Sequence, residues 1–132
     1  MSGFSTYLAQ KLIDHTLRGA AYTAPANLYL ALFTADPTDD NVTANEVPGG
    51  WYARKQITSW SAPVGTGTVT DNSNQLTYSA VTGSAVTVTH WGLYDASTSG
   101  NLMFSGAWDV SKVLNVDDVF TVNAGDLNLD FQ

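Results

Sequence analysis

The chain has 132 residues, no cysteine and a formal net charge of −7, from 5 basic against 12 acidic residues. That length makes one ordinary domain, large enough to bury a core. The acidity repels phosphate backbones and anionic bilayers, so neither nucleic acid nor membrane is an expected partner, and the missing thiols exclude disulfides and thiolate metal sites.

A hydrophobic fraction of 44% argues against disorder, while only 13% of residues are charged. Thr, Ser, Asn, Gly and Ala must therefore cover much of the surface, which suits a protein packed against others. No apolar run approaches the length of a membrane span. The opening MSGFSTYLAQKLIDH lacks the apolar core of a signal peptide, so synthesis in a cytoplasm is expected.

The first predicted element is a helix over Phe4 to Arg18. Phe4, Leu8, Leu12 and His15 fall on one stripe, with Tyr7, Lys11 and Asp14 beside it and Ile13 and Leu17 widening the apolar side. Ser2 or Ser5 can cap its start, and Arg18 and Gly19 suit its end. NLYLALFT follows, with Leu28, Leu30 and Leu32 pointing one way and Tyr29, Ala31 and Phe33 the other, as in a strand buried on both faces. Asp36 to Gly50 reads as a long polar loop carrying Asp36, Asp39, Asp40 and Glu46. Strand character resumes over Trp51 to Trp60, and APVGTGTVTDNSN reads as flexible loop before a strand at QLTYSAV.

Val86 to Asp95, VTVTHWGLYD, is the strongest strand in the chain. Val86 and Val88 alternate with Thr87 and Thr89, but from His90 onward both sides carry large residues. A strand exposed on one side at its start and covered on both at its end predicts a central position in a sandwich or barrel. Gly92 within it predicts a bulge or a close approach by another backbone. Asp95 to Asn101 should turn a hairpin into LMFSGAW, with Gly100 supplying a backbone angle other residues resist. In the C-terminal third, Phe120 and Val122 alternate with Val119 and Thr121, NAGD turns, and Leu127, Leu129 and Phe131 alternate with polar residues. That pattern predicts a second hairpin with one wet face. About seven or eight short strands at roughly ten-residue spacing predict a mainly β fold. The expected architecture is one domain over residues 1–132, a β-sandwich or jelly-roll-like body (28–131) behind one N-terminal α-helix (4–18).

Chemistry is sparse. His15 and His90 are the two histidines, and neither has a metal-ligand neighbour at helical or strand spacing. No serine sits in a G-x-S-x-G elbow, and GTGTV lacks the lysine and following helix of a phosphate loop. Asp36, Asp39, Asp40 and Asn41 depart from the spacing of a calcium loop and read as solvated carboxylates. Asp117 and Asp118 are adjacent, so on a strand they face opposite sides; only a turn would bring them together. No catalytic, metal or cofactor site is expected, and the chain is not expected to be an enzyme. Trp51, Tyr52, Trp60, Trp91, Tyr94 and Trp108 raise a carbohydrate-binding module as one reading, because sugars stack on exposed rings.

FSTYLAQKLIDHTLRGAAYTAPANLYLALFTADP, GGWYARKQIT, VTHWGLYDASTSGNLMFSGAW and KVLNVDDVFTVNAGDLNL, in this order across nearly the whole chain, resemble a family of short bacteriophage virion structural proteins. The family includes capsid decoration or cement proteins and tail-fibre type proteins. The resemblance implies no catalytic residues, and it implies that Tyr52, Arg54, His90, Gly92, Asp95, Gly106, Gly125 and Asp126 set turns and core. It implies a virion protein on the capsid surface that cements neighbouring subunits, with the major capsid protein as partner. A tail or fibre component with a role in host attachment is the alternative. A homo-oligomer, dimer or trimer, is expected, because multiple footholds strengthen attachment. Phe4, Tyr7, Leu8, Leu12, Asp36, Asp39, Asp40 and Glu46 are the candidate interaction surface.

Overall fold

The computed structural model describes residues 3–131. Among them the chain forms, in order, β1 (Gly3–Phe4), α1 (Thr6–Leu17), β2 (Leu28–Phe33), β3 (Lys55–Ile57), β4 (Val69–Asp71), β5 (Leu76–Thr77), β6 (Val86–Tyr94), β7 (Leu102–Leu114), β8 (Thr121–Val122) and β9 (Asn128–Asp130). The fold is mainly β with one α-helix at its start, as the alternating pattern predicts. None of the described helices is long and apolar enough to cross a membrane.

Five strands make one antiparallel sheet in the order β1-β7-β6-β2-β3, which places β6 at its centre. Burial along β6 follows the expectation: Thr87 is exposed and Val88 buried, and everything from Trp91 to Tyr94 is buried. Strict alternation nevertheless fails. It would set Val88 against Trp91 and Leu93, yet all three enter the space between the two layers. The cause lies opposite Thr89, where four residues of β7, Trp108 to Ser111, face that single residue. A bulge of this kind bends and twists the pair and lets the core face change parity.

The second layer departs from the expected C-terminal hairpin. β8 and β9 do not pair with each other: β8 pairs with β5 and β9 with β4. Val69–Thr77 and Thr121–Asp130 thus run as one long interrupted ribbon, and β4 lies inside the stretch expected to be loop. The interruption is held by Asn72, which is fully buried. Its Nδ2 donates to the Asn74 and Asn123 carbonyls at 2.9 and 3.0 Å, and its Oδ1 accepts from Leu127 N at 2.9 Å. Leu76, Val122, Leu127 and Leu129 from the ribbon pack on Leu30, Ile57, Trp91 and Leu93 of the sheet. Tyr78 and Val81 pack on Leu32, Val88 and Leu114.

The opposite face of the sheet carries a smaller cluster of Ala31, Phe33, Tyr94 and Leu102. Gly92 faces it. A Cβ there would stand 2.9 Å from the Leu102 side chain and 3.1 Å from the Phe33 ring, so side chains, not a backbone, make the close approach. The register shifts of β6 lie on either side of Gly92, not at it. Residues 36–42 cross this face: Thr6 N donates to the Asp39 carbonyl at 2.9 Å, and Tyr94 Oη donates to Asn41 Oδ1 at 2.6 Å. The stretch from Asp36 to Gly50 is therefore more than polar loop, since it also contains a 3-10 turn, Thr43–Asn45, and the buried Val47.

The helix begins at Thr6 instead of Phe4, because Phe4 pairs with Phe104 as part of β1. Ser5, 1% exposed, caps α1: its Oγ accepts from Leu8 N at 3.0 Å and donates to the Leu102 carbonyl. Ser2, the other candidate cap, lies outside the described residues. Of the predicted stripe only Leu8 is buried; Leu12 is half-buried, and Ile13 and Leu17 are 51% and 80% exposed. The helix docks chiefly by its first turn, with Leu12 partly covered, and leaves Ile13 and Leu17 exposed. Arg18 forms its C-cap and pairs with Asp14 at 3.0 Å on the surface, where such a pair adds little.

Candidate functional site

Three strands and two loops meet around Arg54, which follows Trp51 and Tyr52 into β3. Its Nε and Nη2 donate to the two Glu46 oxygens at 2.8 and 2.9 Å, and its Nη1 donates to the Ala96 and Ser99 carbonyls at 3.2 and 2.7 Å. The guanidinium also lies 3.6 Å from the Tyr94 ring centroid. Tyr52 Oη donates to Glu46 Oε1 at 2.7 Å and accepts from Leu32 N at 3.1 Å. Tyr52 stacks on Tyr78, whose hydroxyl donates to the Leu30 carbonyl at 2.7 Å. Burial pushes the Glu46 carboxyl up, but hydrogen bonds from Arg54 and Tyr52 and the guanidinium charge outweigh it and hold its pKa below the ordinary value. Glu46 is thus internal structure instead of a free loop carboxylate.

The hairpin after β6 is fixed by the same economy of means. Asp95 Oδ1 accepts from Asn101 N at 2.7 Å and its Oδ2 from Asn101 Nδ2 at 2.9 Å. Gly100 closes the turn at φ 77°, the left-handed region expected of it. Asp126 Oδ2 accepts from Asn123 N at 3.1 Å and Gly125 N donates to the Asn72 carbonyl at 2.7 Å, so these positions set turns. Asp118 Oδ2 likewise accepts from Asn115 N at 2.8 Å, inside a turn that Asp117 enters at φ 76°.

The candidate interaction residues come together only in part. Asp36 and Asp39 stand over the outer face of the sheet beside Phe4, lining a cleft of about 560 Å³. Tyr7, Asp39 and Asp40 line a neighbouring cleft of about 290 Å³ at the helix start. Leu8 is buried and Leu12 lies farther along the helix, outside both clefts. His90, Ser105 and Ala107 form the floor of the larger cleft, opposite Thr38. Of these, His90 was noticeable as a lone histidine, while Ser105 carries no sequence signal at all. His90 Nδ1 lies 2.7 Å from Thr89 Oγ1, and His15 Nδ1 lies 3.1 Å from the Ala20 carbonyl. Among the described residues no three His, Asp or Glu side chains converge as metal ligands do.

A third cleft, about 460 Å³, opens on the far side of β7 between Trp108, Val110, Lys112, Val119 and Phe120. Val110 is 79% exposed, and Trp108 Nε1 is buried without a partner among the described residues. Among the described residues no strand lies beside the outer edge of β7 beyond Ser105, since β1 pairs with Phe104 and Ser105. The aromatic residues that raise carbohydrate stacking are core: Trp51, Trp91 and Tyr94 are buried, and Tyr52, Trp60 and Trp108 are half-buried.

A protein-family model described as podophage GP4 fiber I protein gp80 matches residues 3–130. No curated protein matches the chain.

Proposed function

Because the chain belongs to the podophage GP4 fiber I protein gp80 family, we propose that it is a tail-fibre component of a phage virion with a role in attachment to the host surface. The coarser statement, a fibre-type structural protein of a phage, follows from the family alone. What supports the finer reading is the family description over residues 3–130, which names a fibre. Such a protein works by binding free energy, without turnover. Repeated weak contacts add up when copies are held together, because the second contact forms at high effective concentration. We therefore propose a homo-oligomer, dimer or trimer. Among the described residues, the outer edge of β7 beyond Ser105, which no strand pairs, and the exposed Ile13 and Leu17 of α1 are surfaces available for it.

Location and copy number test this reading. Antibodies against the chain, gold-labelled on purified virions, should mark the tail end in a handful of copies and should block adsorption to host cells. Hundreds of copies over the shell would instead return capsid decoration, with the major capsid protein as partner. In that case washing the virions in rising salt should shed the protein and weaken the heads, as screening loosens an acidic surface from basic patches.

A further inference from the structure

We propose that the cleft beside Trp108, between β7 and residues 119–122, binds a neutral saccharide. Four residues of β7, Trp108 to Ser111, stand opposite the single Thr89, so the strand swells here. Bulges of this kind re-aim side chains and recur beside functional sites. Trp108 lines both the cleft of about 460 Å³ and a smaller one of about 200 Å³ on its other side, which takes in Trp91 and Asn128. Its Nε1 is buried and has no hydrogen-bond partner among the described residues. The ring of Phe120, edge-on at 5.6 Å, is at best a weak acceptor. A buried donor in a native protein normally has an acceptor, so this orphan points to one supplied from outside. Trp108 as a whole is only half-buried, and a tilt of its ring turns the N–H toward an acceptor in either cleft.

The lining selects the ligand. Most aromatic residues of the chain are core, but the partly exposed rings of Trp108 and Phe120 line this cleft, beside the exposed Val110 and Val119. Together they make an apolar platform on which the C–H face of a sugar ring stacks. Polar groups stand around it. Asp109 and Lys112 are exposed, and neither has an ion pair or hydrogen bond among the described side chains. Asp126 lines both clefts and accepts from Asn123 N with one of its oxygens. Carboxylates accept, the ammonium and the indole N–H donate, and Thr121 does both, which matches a ring of hydroxyls. An anion would meet two carboxylates against one ammonium, and a cation would compete with Lys112 for those carboxylates. A wholly apolar molecule would strip water from the charges and leave the indole N–H unpaired. The larger volume, about 460 Å³, falls within the range of small-molecule sites. A polyhydroxylated neutral ring satisfies all of these conditions. The inference rests on the host-attachment reading for the source of the sugar, a polysaccharide of the cell surface.

The test is a titration of the ¹⁵N-labelled full chain with glucose, galactose and mannose, with N-acetylneuraminate and choline as anionic and cationic controls. At least one hexose should give saturable shifts at the Asp109, Lys112 and Thr121 amides and at the Trp108 indole N–H. Both controls should bind more weakly or not at all. Asp109→Ala and Lys112→Ala, both at exposed positions, should each weaken the hexose by about tenfold while melting as the unchanged chain does. Trp108→Phe keeps a ring but removes the N–H, and should weaken it as much. Folded protein that shows no saturable shift with any of the three hexoses overturns the proposal, as does either control binding as tightly as the hexose. So does movement of the same signals on dilution of the chain alone, which would make the cleft a contact between copies. Failure of the two readings is separable. If hexoses do not bind but antibodies still label the tail and block adsorption, attachment stands without this cleft. If a hexose binds and the protein is absent from the tail, the cleft stands and attachment falls.

Discussion

Arg54 does the work of several core residues, since one guanidinium joins Glu46, the carbonyls of the 95–101 turn and the ring of Tyr94. Its side chain is only 5% exposed and that of Glu46 19%, so the pair sits where a charge left alone is costly. Arg54→Met should therefore lower stability by about 3–5 kcal/mol, because it strands the Glu46 carboxylate. Adding Glu46→Gln should return part of that loss. Arg54→Lys should also destabilise, because a lysine cannot grip both oxygens and the two carbonyls at once. Urea denaturation of the three variants decides the matter, and an Arg54→Met chain as stable as the parent would refute the hub. Composition and spacing gave no hint of this pairing. Glu46 and Arg54 are neighbours only because the chain folds back after Phe33, where an isolated bridge joins Phe33 to Glu46.

At the scale of elements, α1 shows how far periodicity reaches. Its stripe is real, but full burial ends with the first turn, which Ser5 and Leu8 anchor against β7, and Leu12 is only half-buried. Leu8→Ala should cost about 2–5 kcal/mol, and Leu17→Ala should stay within about 0.5 kcal/mol. Thermal melts of the isolated chain would read both, and equal losses would mean that the far end of the helix is also docked. β2, β6 and the β6–β7 hairpin were legible because long alternating runs leave no other economical fold. The ribbon was not, because its strands are two or three residues long. Such segments carry almost no period, and their register is set instead by Asn72, a polar residue whose spacing within TDNSN resembles any surface loop. The NAGD turn stands where its residues predict, yet its two arms pair with β5 and β4, and the Asn72 side chain sits between them, bonding the Asn123 carbonyl and Leu127 N.

For the whole molecule, the two ends of the pH scale probe different parts of the fold. The Glu46 pKa is depressed in the folded state, so its contribution is fully present above the unfolded value of about 4.3 and is lost as pH falls through the folded one. Tyr94 behaves in the opposite sense. Burial pushes its pKa up to about 12, with Arg54 pulling down and Glu46 pushing up in smaller measure. Burial also raises Tyr78, with Tyr52 and Glu46 adding to it, and raises Tyr52 itself, helped by its hydrogen bond to Glu46. These groups favour the folded chain below the unfolded tyrosine value of about 10, and that advantage is lost as pH rises through the folded value. A competing effect is repulsion within a chain of net charge −7, which would instead raise stability steadily as the pH falls toward the isoelectric point. Tyrosine burial and the Arg54–Glu46 pair act in the protein interior, where screening is weak, whereas most of the net charge is spread over solvated loops. Urea midpoints measured across the pH range should therefore form a plateau through neutrality, with an acid fall beginning near pH 4 and an alkaline fall beginning near pH 10. Glu46→Gln should flatten the acid limb and leave the alkaline one in place. A midpoint that climbs continuously from pH 9 to pH 5 would show that net repulsion, and not the buried hub, governs the stability of the molecule.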